Sequence, residues 1–190
     1  MKQNRELPVL HGDRVSVRMG EYEDIPSIIK FYTDNKVHLA PFEPKRSPKF
    51  YSEYFWQNEL INRKNDFLAD NSLKMFVFSN STSEVIGVIN FNQIIKGAFF
   101  ATYLGYSLDE NMQGKGYMSE SLQLAIDYVF NYLKLHRIMA NYMPTNQKSA
   151  GVLKGLGFTV EGYARDYLLI NGRWEDHILT SLTNQQWEMS

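Results

Sequence analysis

Apolar and polar residues alternate from Asp13 to Met19, where Val15, Val17 and Met19 share one face and predict a half-buried strand. The period then lengthens. Asp24 can cap a helix that carries Pro26 in its first turn, and Ile25, Ile28, Ile29 and Tyr32 supply a buried face. Pro41, Pro44 and Pro48 break the pattern and predict a loop over residues 39–49. A second helix is predicted over residues 51–68. Its apolar residues fall on two sides: Tyr54, Phe55, Ile61 and Leu68 on one, Trp56, Leu60 and Phe67 roughly opposite. Such a helix either lies between the core and a covering loop or turns its Trp56 side to a substrate groove.

From Leu73 the period returns to two. Residues 74–79, 84–92 and 99–108 predict three successive strands, with turns at residues 80–83 and at Lys96-Gly97. Met118, Leu122, Ala125, Ile126, Val129, Phe130 and Leu133 then step by three and four along a helix face. A strand over 138–143 stops at Pro144, and a short helix over 146–156 ends at Gly157. Residues 163–170 and 173–182 flank Asn171-Gly172, a two-residue hairpin turn. The order βααβββαβαββ predicts a mixed α/β (α+β) fold on a mostly antiparallel central sheet flanked by about four helices. One domain over residues 13–187 follows an extension over residues 1–12.

Composition narrows the chemistry. With 190 residues the chain is sized for one domain, and 44% hydrophobic against 22% charged residues are globular values. Twenty basic and 21 acidic residues leave a net charge of −1, which argues against direct nucleic-acid binding. There is no cysteine, so a thiolate metal site and a cysteine nucleophile are excluded. His11, His38, His136 and His177 are scattered without ligand spacing, and no metal site is expected. His177 beside Asp176 is no dyad, because neighbouring strand residues point to opposite faces. No signal peptide or membrane-length apolar run is evident, and a soluble cytoplasmic protein is expected.

The sharpest local signal is Gln113-Gly114-Lys115-Gly116 between a strand and a helix. Glycines let the backbone approach a ligand, and the amides that open a helix lack partners, a geometry suited to phosphate. Asp109 and Gly116 do not fit a Walker loop, and Ser119 stands where a dinucleotide fingerprint needs its third glycine.

Gln113-Gly114-Lys115-Gly116-Tyr117-Met118 resembles the Gln/Arg-x-x-Gly-x-Gly/Ala acetyl-CoA signature of the GCN5-related N-acetyltransferases (GNAT), with Met118 a departure at the last position. Asn146 followed by Gly157-Phe158 is similar to the second half of that family's site. The runs 136–144 and 161–172 resemble the RimJ type, ribosomal-protein alanine N-acetyltransferases. The resemblance implies a sheet splayed at the acetyl-CoA site. Tyr106, Ser107 and Leu108 would pair with the pantetheine arm, the main chain of Gln113, Gly114, Lys115, Gly116, Tyr117 and Met118 would hold the pyrophosphate, and Asn146 would bond the pantetheine region. Met118, which opens an apolar stripe, should face the core.

Without cysteine no acyl-cysteine intermediate can form, so direct attack by the amine in a ternary complex is the economical route. An α-amino group is cheaper to neutralise than lysine by about 3.4 kcal/mol, which suits a protein N-terminus as acceptor. Leu153 occupies the position of a tyrosine acid found in many relatives. Ser149 stands where the RimJ and RimL branch carries a substitute proton donor. Leu168 stands where a RimL-type glutamate would align, so the candidate bases are Glu43 and Asp176. By resemblance the acceptor is the N-terminal alanine of a small-subunit ribosomal protein (S5). The alternatives are a small amine such as a polyamine or aminoglycoside, or a non-catalytic acetyl-CoA or ribosome binder of this fold.

Overall fold

Residues 5–188 are described by the computed structural model. Its elements are β1 (Val9–His11), β2 (Val15–Arg18), α1 (Ile25–Asp34), α2 (Lys36–Leu39), α3 (Glu53–Leu68), β3 (Leu73–Ser79), β4 (Val85–Ile95), β5 (Ala101–Leu108), α4 (Tyr117–Asn131), β6 (Arg137–Tyr142), α5 (Gln147–Gly155), β7 (Thr159–Ile170) and β8 (Arg173–Thr183). The strands form one sheet in the order β1-β2-β3-β4-β5-β6-β8-β7. The mixed, mostly antiparallel sheet anticipated from periodicity is present.

Helices cover both faces. On β3, Met75 and Val77 join the core under α4, with Leu122, Ala125 and Val129, while Phe76 and Phe78 join the core under α1 and α3. Alternate residues of a strand point to opposite faces, so a strand covered on both sides reads as an unbroken apolar run. Met118 sits in the first of these cores.

Three local expectations need revision. Val9–His11 lies in the stretch read as an extension, yet it pairs with β2 as an edge strand. Three residues are too few to show a period. Residues 39–49 are not plain loop: α2 ends there, and 3₁₀ turns form at Ala40–Phe42 and Pro48–Tyr51. Finally, β7 starts before residue 163 and carries register shifts between Val160 and Gly162 and between Ala164 and Leu168, which disrupt its alternation.

The two-sided α3 follows the first anticipated arrangement in part, between core and loop, and not the second. Trp56 is fully buried, stacked on Tyr32 with ring centres 5.4 Å apart and edge-on to Phe50 and Phe76. Trp56 is core and lines no groove. On the other side Phe55 packs on Phe50 of the turn at Pro48–Tyr51, whereas Tyr54 and Ile61 are 77% and 60% exposed, so the loop covers only part of that side. Apolar residues on two sides do not reveal which side the sheet takes. The structure selects the one that fits against the aromatic residues of α1 and β3.

The sheet departs from continuous pairing at its middle. Among the described residues β5 and β6 are the only parallel neighbours, and they pair only over 101–103 against 137–139. Beyond that point residues 104–108 pair with β4 alone and residues 140–142 with β8 alone. The strands diverge, which opens the gap that the family resemblance implies.

Burial assigns different costs to the two sides of α3. Trp56→Ala should lower stability by about 3–5 kcal/mol, whereas Tyr54→Ala should stay within about 0.5 kcal/mol. Urea unfolding midpoints check both, and equal losses would contradict this orientation of the helix.

Candidate active site

The loop before α4 is shaped by two left-handed glycines. Gly114 has φ +71° and Gly116 has φ +82°, values that L side chains rarely adopt. Gly116 is the N-cap of α4 and supplies no side chain to the helix. The amides of the first turn therefore remain available to an anion, favoured further by the helix dipole.

Distant residues hold this loop in place. Arg14, at the edge of β2, donates from its side chain to the Lys115 carbonyl at 2.8 Å and to Glu120 Oε2 at 2.7 Å, and from its amide to Glu120 Oε1 at 2.8 Å. Burial opposes charge on Glu120, but these donors outweigh it and keep the carboxyl below its usual range. Asn35, just after α1, donates to Asp109 at 2.8 Å and accepts from the Glu110 amide at 2.9 Å. The Lys115 side chain bends back to the Asn111 carbonyl at 2.8 Å, so Lys115 presents its main chain to the loop.

A cavity of about 1030 Å³ opens at the strand gap, lined among others by Glu43, Tyr106, Ser107, Gln113, Asn146 and Ser149. Leu108, Gly114, Gly116, Tyr117 and Met118 also border it. Asn146 caps α5, its Oδ1 accepting the Ser149 amide at 3.1 Å. In the cavity wall the Tyr106 hydroxyl lies 2.8 Å from Ser149 Oγ. Burial pushes the Tyr106 phenol up to about 12, against a smaller downward pull from the Ser149 hydrogen bond. Ser107, the next residue on β5, directs its hydroxyl to Glu43 Oε1 at 3.4 Å. Successive residues face opposite ways, so α5 and the loop after α2 approach the end of β5 from its two faces.

The two candidate bases separate here. Glu43 borders the cavity, paired with Arg46 at 2.9 Å, and its carbonyl accepts the Asn171 amide of the β7–β8 turn at 3.0 Å. Asp176 does not border it. Its carboxylate accepts from the Tyr163 hydroxyl and from the Asp166 amide, and these bonds hold it below the usual range. Leu153, which offers no proton donor, is buried in the core.

Several residues that sequence reasoning passed over belong to this site. His38 Nε2 lies 2.8 Å from Gln113 Nε2, and Lys148 donates to Gln113 Oε1, so a polar chain crosses the mouth of the loop. Lys148 stands between Asn146 and Ser149 and was within reach of the motif. His38 and Arg14 carried no sequence signal, because their partners lie far along the chain.

A family profile described as acetyltransferase (GNAT) domain matches residues 14–159. The chain belongs to this family. The [ribosomal protein uS5]-alanine N-acetyltransferase of Escherichia coli (strain K12) is 44% identical over 179 residues, covering 94% of this chain and 92% of that protein. The solved ribosomal-protein-S5-alanine acetyltransferase of Vibrio fischeri superposes with a TM-score of 0.91 at 39% identity, covering 96% of this chain and 100% of that one. A spermidine N(1)-acetyltransferase of Vibrio cholerae is 30% identical over 130 residues, 67% of this chain and 73% of the relative. The chain is thus a GNAT acetyltransferase that uses acetyl-CoA as donor.

The site's own features fit that donor. An uncapped helix start behind two glycines suits a pyrophosphate, and the unpaired edge of β5 suits an arm that carries amides. Among the described residues there is no cluster of three His, Asp or Glu that could hold a metal ion, and no helix is long and apolar enough to cross a membrane.

The brace on the loop has a measurable role. Arg14→Ala should raise KM for acetyl-CoA about fivefold, on the order of 1 kcal/mol, with kcat at saturation within about twofold. Steady-state kinetics separates the two parameters. An unchanged KM would show that the loop keeps its shape without Arg14.

Proposed function

We propose that this enzyme transfers the acetyl group of acetyl-CoA to the N-terminal alanine of small-subunit ribosomal protein uS5, in the cytoplasm and by gripping a protein tail. The observation that carries the chemistry is the convergence of Ser149 and Glu43 on one cavity from opposite faces of β5. The likeness to the uS5-alanine enzymes over nearly the whole chain supports the acceptor.

In this reading the main chain of residues 113–118 holds the pyrophosphate, with Gln113 and Tyr117 flanking the glycines, and the backbone of residues 106–108 pairs with the pantetheine arm. Asn146 spends its Oδ1 on the helix cap, which leaves its amide hydrogens for the arm. Attack by a neutral amine on the thioester carbon requires a group to take the proton the nitrogen sheds and a group to protonate the departing thiolate. Glu43 attracts the cationic terminus and takes its proton. Ser149 Oγ gives its hydrogen to the thiolate as the carbon–sulfur bond breaks. Solvent restores the Ser149 hydroxyl and removes the proton from Glu43. Asp176, tied to its own hairpin, takes no part.

A polycation is a poorer fit for the cavity. Among the described residues its lining carries two carboxylates, Glu43 and Glu110, set against Lys148 and His38.

Mass spectrometry of uS5 incubated with enzyme and acetyl-CoA should find one acetyl group on the N-terminal alanine, and the uS5 peptide should outcompete spermidine. Faster acetylation of spermidine would overturn the assignment. Because the α-amino group must be neutral, kcat/KM for the peptide should climb with pH and level off above about 8. Ser149→Ala and Glu43→Gln should each lower kcat by about 100-fold in single-turnover assays. Unchanged rates would remove the corresponding role.

A further inference from the structure

Family resemblance gives Tyr106 a main-chain task and says nothing of its side chain, yet the phenol meets the proposed proton donor in the cavity wall. A serine hydroxyl has one hydrogen and two lone pairs, and it rotates among staggered positions unless a partner selects one. Tyr106 is such a partner at 2.8 Å. The phenol also meets hydrogen-bond geometry to the Ser149 carbonyl, at 3.3 Å, but Oγ at 2.8 Å is the shorter and stronger acceptor for its one hydrogen. Resting on the reading of Ser149 as proton donor, we propose that Tyr106 donates its hydrogen to Ser149 Oγ and thereby leaves the serine's single hydrogen directed into the cavity.

Tyr106 is then a positioning residue, acting on the leaving group through Ser149. Two independent contacts fix the serine: Asn146 Oδ1 holds its amide at 3.1 Å, and Tyr106 holds its hydroxyl. Burial keeps the phenol protonated throughout the neutral range, so it remains a donor. Packing supports the geometry as well, since the Tyr106 ring lies against the core beneath α4.

Tyr106→Phe preserves the ring and the main chain and removes only the hydroxyl. It should lower kcat about tenfold, leave KM for acetyl-CoA within about twofold, and leave CoA affinity by calorimetry unchanged. In a Ser149→Ala background the same change should have no further effect, because the pair acts as a unit. Independently of turnover, the 13Cζ resonance of Tyr106 in the free protein should shift in Ser149→Ala at neutral pH. A Tyr106→Phe enzyme with full kcat beside a slow Ser149→Ala enzyme would overturn the positioning role alone. A Ser149→Ala enzyme with full kcat would overturn the donor reading on which it rests. An unmoved resonance would show that the hydrogen bond itself is missing.

Discussion

One constraint shapes the site: β5 and β6 stay paired for three residues each and then part. Parallel neighbours in a sheet ordinarily keep their ladder, because each lost rung leaves a donor or acceptor to be satisfied elsewhere. Here β4 and β8 hold the outer edges of the two strands while their inner edges diverge. The exposed edge of β5 is thus built into the sheet by its flanking strands and does not depend on a flexible loop. The candidate site is assembled at that opening: the start of α4, the cap of α5 and the loop after α2 all border one cavity.

The rest of the structure keeps the opening in shape. Single hydrogen bonds such as those from Arg14 or Asn35 are each worth about 1 kcal/mol, little beside the two cores that clamp the sheet. Their value lies in position, since a loop already holding its amides outward need not be ordered when the donor arrives. The same logic applies at Ser149, whose amide and hydroxyl have separate partners. Rigid cores beneath and short polar tethers above divide the work of stability and preorganisation.

What the chain disclosed in advance follows from how local each signal is. The glycine loop was readable because both glycines and the helix they open are contiguous; Asn146 and Ser149 were legible only through the family resemblance, and their link as cap and capped amide emerged with the fold. Met118 could be turned to the core from the helix period alone. The face of α3 that carries Trp56 was not readable, since the aromatic partners that decide its orientation come from α1, β3 and the turn at Pro48–Tyr51. Glu43 and Asp176 looked equivalent as sequence, and only the tertiary course of their loops sets one beside the cavity and ties the other to its hairpin. Arg14 and His38 act across long sequence separations, and β1 is too short for any periodicity to mark.

Amide hydrogen exchange with and without CoA shows whether the parted strands receive the donor. Saturating CoA should protect two separate stretches, the gap-facing amides of residues 104–108 on β5 and the first-turn amides of α4 over 117–119. Full CoA binding with protection at α4 but none along β5 would contradict that expectation, because the parted strands would then not be what receives the donor.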